Sequence, residues 1–318
     1  MFVGFTGTPI DATLDVFGKV VDAYTMSESV KDEITVRIVY EGRAARVLLN
    51  NTKLEEIESY YKQCEETGSN EHQVEESKKA TSSINSILGD PDRIRTLAKD
   101  FVEHYEGRVK EGSTIEGKAM FVSSSREIAY QFYQELEELR PGWFEVKEAD
   151  DVQKYSKQDR ERAINAGKLA KPMERVKMVM TRGKDDVEAM YNLLGTKEYR
   201  KDLDRQFKNE KSNFKIAIVV DMWLTGFDVP FLDTIYIDKP LQKHNLIQTI
   251  SRVNRQFAGK SKGLVVDYIG IKTAMNKALA QFSKSEETNF EDINQSVIAV
   301  KDHLDLLSRI FHTFDSSP

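Results

Sequence analysis

The sequence predicts an α/β fold, a parallel sheet flanked by helices with a helical insertion and a C-terminal helical segment. Short, apolar, β-branched runs begin near residues 118, 176, 214, 234 and 263, as expected of strands buried on both faces. Helical periodicity fills the gaps between them, the alternation that yields parallel pairing with right-handed crossovers. The stretch from about 50 to 112 is polar, Glu- and Lys-rich and helical in pattern.

Taken in chain order, Ile34 to Tyr40 alternates as a strand. The 50–112 insertion breaks at Gly89-Asp90-Pro91 and is expected to pack on the flank of the core. Lys118 to Val122 reads as a buried strand, followed by Ser123-Ser124-Ser125 as a helix N-cap and an amphipathic helix to about Leu139. Free N–H groups and the helix dipole make such a junction an anion site in principle, and a simple cap accounts for it equally well. Val176 to Thr181 adds a strand, and Asp185 to Phe207 reads as one helix.

Phe214 to Val220 is another buried strand, and it runs into Asp221-Met222-Trp223-Leu224-Thr225-Gly226-Phe227-Asp228-Val229-Pro230. A loop leaving the carboxyl end of a parallel strand is where α/β folds place ligands. Gly226 allows positive φ or close backbone approach, and Asp228 offers a carboxylate to an arginine, a metal-bound water or a ribose hydroxyl. The strand Thr234 to Asp238 and Pro240 follow, then a helix expected to carry Gln248 through Arg255. At about 100° per residue, Gln248, Arg252 and Arg255 fall within roughly 60° of one another, with Leu246, Ile247, Ile250, Val253 and Phe257 opposite. Two permanently charged forks and an amide suit a polyanion such as a nucleotide triphosphate, and a solvated basic face is the plainer alternative. After Gly270 the pattern turns wholly helical, from Lys272 to about Phe282 and from Glu291 to Phe314.

At 318 residues, 40% apolar and 31% charged, the composition is that of an ordinary soluble protein of about two domains. The single cysteine, Cys64, excludes an internal disulfide and fits a reducing, cytoplasmic interior. No apolar run approaches the length of a membrane span. The net charge of −6 hides local patches. Residues 55–76 hold eight glutamates against Lys62, whereas Arg252 to Lys262 has four basic residues and no acid. Lys168, Lys171, Arg175, Lys177, Arg182 and Lys184 face Glu174 alone in their stretch. The two basic stretches are candidates for polyphosphate contact that grips a nucleic-acid backbone without reading bases, with a solvated face as the alternative for 168–184. His72, His104, His244, His303 and His312 lack metal-ligand spacing, and Cys64 lacks an obvious activating base.

In this order and spacing the elements resemble the second RecA-like core domain of superfamily 2 helicases and translocases. Thr225, Gly226 and Asp228 correspond to its motif V and Gln248, Arg252 and Arg255 to motif VI, while Gly4-Phe5-Thr6-Gly7-Thr8-Pro9 fits motif III. A more specific likeness is carried by Asp221 to Asp228, Asp238-Lys239-Pro240, His244-Asn245-Leu246, Arg252-Val253-Asn254-Arg255 and Gly263 to Gly270. This run resembles the motor (R) subunit of type I restriction endonucleases. With Tyr24-Thr25 and the strand from Lys118, the likeness spans most of residues 1–271.

The resemblance implies that residues 1–14 are the tail of a first RecA-like domain, 15–271 a second one with the insertion at about 50–112, and 272–318 the start of a helical domain. It implies ATP and Mg²⁺ as cofactors, held mainly by a first RecA-like domain upstream of residue 1. Arg255 or Arg252 would be the arginine finger, and Gln248, Gly226, Asp228, Thr6 and Gly7 would bind ATP or couple to it. Ser123, Ser124, Ser125, Arg126, Thr225 and Arg182 would touch the backbone of double-stranded DNA, and modification and specificity subunits would be partners, with no membrane. A phosphate loop and an acidic Mg²⁺ pair are missing from the sequence. Gly259-Lys260-Ser261 imitates the end of a phosphate loop, but Asn254 stands where its first glycine belongs and a helix precedes it, so it reads as a basic turn. The chain alone is therefore expected to be inactive as an ATPase or nuclease. The alternatives are a non-catalytic α/β module for DNA or protein docking, and the C-terminal core of another superfamily 2 helicase.

Overall fold

The computed structural model describes residues 3–4, 16–18, 21–47, 84–149, 156–165, 169–241, 243–271, 275 and 290–292. Its centre is a seven-stranded, wholly parallel sheet in the order β3-β4-β2-β5-β6-β1-β7. The strands are β1 (Arg37–Gly42), β2 (Ala119–Ser123), β3 (Val176–Val179), β4 (Ile216–Val219), β5 (Thr234–Asp238), β6 (Lys262–Asp267) and β7 (Phe290–Asp292). Every residue of β2, β3, β4 and β5 is buried, which explains why these strands read as unbroken apolar runs. The parallel α/β fold expected from the sequence is what forms.

The helices include α1 (Met26–Lys31), α2 (Ala44–Val47), α3 (Pro91–Lys110), α4 (Arg126–Leu139), α5 (Lys157–Asn165), α6 (Glu188–Leu194), α7 (Lys197–Phe207) and α8 (Lys243–Ile250). Asp90 caps α3 by accepting from the Arg93 amide, and Pro91 occupies the first turn, where its missing N–H has no bond to lose. Ile94, Leu97, Ala98, Phe101, Val102 and Tyr105 recur at helical spacing and are all buried. α3 thus forms a layer of the core, where the sequence had suggested a flank. Polar bolts fix its register on the sheet. Arg93 pairs with Asp238 at the end of β5 with both side chains fully buried, and Arg43 grips both Asp100 oxygens at 2.6 Å. Asp100 also accepts from Tyr268, and His104 lies between Glu41 and Tyr236. Burial raises the Glu41 pKa, but hydrogen bonds from His104 and Arg43 outweigh it and hold the carboxyl at about 2.

Beside α3 on the same face of the sheet, Phe132 of α4 stacks on Phe121 at 3.9 Å and meets Phe101 edge-on at 5.4 Å, and Ser125 caps α4 through the Ile128 amide, as predicted. Three expectations shift. The strand foreseen at Ile34 to Tyr40 runs instead from Arg37 to Gly42. The single helix foreseen from Asp185 to Phe207 is broken into α6 and α7, because Gly195 takes φ +61° and Thr196 then caps α7 through the Tyr199 amide. Glu291 and Asp292, expected to begin a helix running to Phe314, lie instead with Phe290 in β7 on the open edge of β1. The remainder of the C-terminal helical segment apart from residue 275, and residues 50–83 of the insertion, lie outside the described residues.

Candidate functional site

The helix foreseen through Arg255 stops at Ile250. Arg252 N bonds Thr249 O and Val253 N bonds Ile250 O, both at 3.2 Å, a tightening that ends the helix. Beyond it the chain is captured by the sheet. Asn254 O accepts from Val36 N at 2.8 Å, and Arg255 forms an antiparallel bridge to Thr35, just ahead of β1. Arg255 therefore sits at the amino-terminal edge of the sheet, outside the helix whose face was expected to present it.

The arginines nevertheless converge on the loop after β4. The half-buried Arg252 donates from Nη1 to Phe227 O and from Nε to Gln248 O at 2.9 Å. Arg255 is 46% exposed, with Nε 3.4 Å from the Asp228 carboxylate, itself 62% exposed. Burial and then the nearby Arg255 push the Arg252 pKa down, Asp228 opposing; a guanidinium has ample margin to stay charged at neutral pH.

The loop owes its shape to an aromatic stack. Trp223 and Phe227 lie parallel at 4.1 Å, and Trp223 approaches Phe207 to 5.3 Å. Trp223 takes φ +68°, a conformation that costs a bulky residue about 1–3 kcal/mol and that the buried stack sustains. Gly226 takes φ +67° in open space, the positive φ foreseen for it, and Thr225 is exposed beside it. The loop leaves the carboxyl end of β4, yet by Phe227 and Asp228 it has returned to the arginines at the amino edge.

Lys260 closes a turn, as read from the sequence, by donating its amide to Phe257 O, but its side chain is a buried clamp. Its ammonium donates to Pro230 O at 2.9 Å and Leu232 O at 2.7 Å, tying the loop's far end to the arginine segment. Burial pushes its pKa down to about 8 despite the nearby Asp233. The periodic pattern had no means of signalling this lysine or the mooring by Thr35, Val36 and Asn254, since both depend on backbone carbonyls and amides.

The residues expected to hold DNA gather mainly at the opposite, carboxyl edge. Ser123 ends β2 and donates to Ser125 O, Ser125 caps α4, and Ser124 Oγ is buried with no protein partner. Arg126 is engaged by Thr181 O and by both Asp186 oxygens at 2.5 Å, and Asp186 also accepts from Gly183 N. The Asp186 pKa is raised by burial but lowered further by Arg126, for a net fall. Arg182 donates to Tyr191 O and stacks 4.1 Å over that ring. Lys171 pairs with Asp202 and Lys177 with Glu174, so much of the 168–184 charge is spent within the protein. A five-residue strand spans about 16 Å, which separates this edge from the arginine pair.

Thr6 and Gly7 lie outside the described residues, as do Cys64, His72, His303 and His312. Among the described residues no group of three or more His, Cys, Asp or Glu is placed to hold a metal ion. Among them, too, no helix is long and apolar enough to cross a membrane.

Known proteins carry the same pattern. A family profile described as type I restriction enzyme subunit R domain 3 matches residues 115–270, and one for the SWI2/SNF2 ATPase matches residues 1–74. The type I restriction enzyme HindI endonuclease subunit of Haemophilus influenzae is 34% identical over 98% of the chain. The MjaIXP endonuclease subunit of Methanocaldococcus jannaschii is 35% identical over 89%. The chain spans 27% and 24% of their respective lengths. An HsdR fragment structure from Vibrio vulnificus YJ016 shares the fold at a TM-score of 0.52 and 14% identity, covering 90% of this chain and 42% of that one.

Proposed function

Because the chain belongs to the family of type I restriction enzyme R subunits, we propose that it forms one side of an ATP-driven motor that translocates double-stranded DNA, with Arg255 as its arginine finger. The observation that carries this reading is the unequal setting of the two arginines. Arg252 is committed to two backbone carbonyls, whereas Arg255 is half-exposed beside a solvated carboxylate that a phosphate can replace. Exposed ion pairs are worth about 0–1 kcal/mol, so the exchange is cheap, and a guanidinium binds phosphate oxygens in bidentate fashion.

ATP would be gripped chiefly by a phosphate loop and Mg²⁺ ligands outside this chain, and it supplies the phosphoanhydride bond whose hydrolysis drives the motor. The residues of this chain fit the anionic end of the nucleotide. Arg255 turns from Asp228 to the phosphates and stabilises charge that develops there. Arg252 fixes Phe227 O and, through Gln248 O, the end of α8, so the loop bearing Thr225, Gly226 and Asp228 is coupled to whatever Arg255 grips. Cleft closure and opening would then move the DNA-holding surfaces past one another.

The exposed Thr225, with Ser124 and Ser125 at the carboxyl edge, would touch the DNA backbone, where contacts position without specifying sequence. Modification and specificity subunits would complete the complex, with the target sequence read by the latter. The lone cysteine suits a cytoplasmic setting. The deciding experiment is Arg255→Ala in an R subunit containing this chain. DNA-stimulated ATPase is expected to fall by about 10³-fold or more, and a rate near wild type rejects Arg255 as the finger.

A further inference from the structure

We infer that Gly263 is a positioning residue for Arg255, an assignment that rests on the motor reading above. Gly263 is the second residue of β6, pairs with Ile38 of β1, and lies directly beneath the arginine segment. A methyl group built on it would stand 2.1 Å from the Val253 carbonyl oxygen, 2.6 Å from the Val253 carbonyl carbon and 2.9 Å from Val253 Cβ. The nearest obstacles are backbone atoms, so no side-chain rotation relieves them. The backbone of Val253 can settle onto the sheet only because position 263 has no side chain.

That close approach has a direct consequence for the arginines. Val253 lies between Arg252 and Arg255, and its side chain is fully buried. The carbonyl of the next residue, Asn254, accepts from Val36 N, and Arg255 then bridges Thr35. Three successive residues are thereby seated on the amino edge of β6 and β1, and Arg255 projects from that seat. Restoring ordinary contact between Val253 and an alanine at 263 requires a displacement of about 1 Å, passed through two peptide units to Arg255. Misplacing a catalytic group by that distance can cost about 10²-fold in rate. Sequence periodicity assigns Gly263 only to the start of a strand, where a glycine ordinarily weakens the sheet, so its presence is explained by close approach of another backbone.

The test uses an R subunit carrying this chain. Gly263→Ala is expected to lower the kcat of DNA-stimulated ATP hydrolysis about 100-fold, with the KM for ATP within about threefold, because the finger acts in the transition state. Added to Arg255→Ala, it should cost less than about threefold more, since the displaced group is already gone. A wild-type kcat in Gly263→Ala overturns the assignment, as does a further 100-fold loss in the double variant. If Gly263→Ala fails to fold, Asn254→Gly loosens the same seat without adding an atom. It should lower kcat about tenfold, again without further loss beside Arg255→Ala, and a wild-type kcat overturns the proposal. Normal ATPase in Arg255→Ala rejects Arg255 as the finger on which this assignment rests, whereas loss there with wild-type Gly263→Ala defeats the Gly263 assignment alone.

Discussion

Arg255 at the amino edge of the sheet and Arg126 at the carboxyl edge carry the same guanidinium in opposite circumstances. Arg126 is 27% exposed, bidentate to a buried carboxylate and bonded to a carbonyl, while Arg255 is 46% exposed with a solvated carboxylate 3.4 Å away. Both were candidates to meet a polyanion. The difference teaches that a positive charge is available to a ligand when its existing partner is easily exchanged, and that a well-partnered one is spent on holding a loop.

Four perturbations break or sharpen that contrast. The largest effect is expected from the alanine pair: Arg255→Ala should abolish most DNA-stimulated ATPase, and Arg126→Ala should keep it within about tenfold while lowering stability by about 2 kcal/mol, the order expected for hydrogen bonds to a charged group. ATPase assays and urea melts of the two proteins decide this, and equal losses in both would erase the distinction.

Lys260 sharpens the amino-edge half. Its pKa in the fold, about 8, lies below that of free lysine, so the unfolded chain binds more protons between those values and stability rises with pH across that window. The charged clamp is a burden below pH 8 that is relieved towards pH 10. Wild type should therefore gain on the order of 2 kcal/mol over Lys260→Met between pH 7.5 and 10, read by chemical denaturation. A constant difference would place the titration elsewhere.

Asp186 tests the carboxyl-edge half from the other sign. Its carboxyl is depressed in the fold, so its contribution is present above the unfolded carboxylate pKa and is lost as pH falls through the lower, folded one. Asp186→Asn should cost about 1 kcal/mol at pH 7 and show a shallower acid limb below about pH 4. The smallest effect belongs to Asp228→Ala, where the loss of an exposed pair should change stability by less than about 0.5 kcal/mol. A large destabilisation there would mean that Arg255 is anchored after all.

The fold was legible because burial on both faces leaves a plain record in composition, as at Met120-Phe121-Val122 and Ile235-Tyr236-Ile237. Caps were equally readable at Asp90 and Ser125, where a side chain serves its own helix. The Gly195-Thr196 stop and restart carried the same chemistry and was passed over within a helical pattern. For the candidate site, the sequence pointed to Arg252, Arg255, Gly226 and Asp228, and the structure brings Arg252 to Phe227 O and Arg255 to Asp228 on one loop. The carrier of Arg255 could not, because a helix ending at Ile250 and a backbone captured by Val36 are long-range events with no local period. Lys260 and Arg126 were misleading for one reason: a charge in sequence looks solvated until its partner, 28 or 60 residues away, is known.

The stacked indole at Trp223, held on a backbone of positive φ, has a practical consequence. The chain holds only two tryptophans, and the other, Trp143, packs on Tyr105 beneath α3. Trp223 is stacked on the very residue whose carbonyl restrains Arg252. With Trp143 replaced by phenylalanine, the protein would carry one native fluorophore at the junction between loop and arginines, and its emission would report each disturbance of that junction without any attached dye.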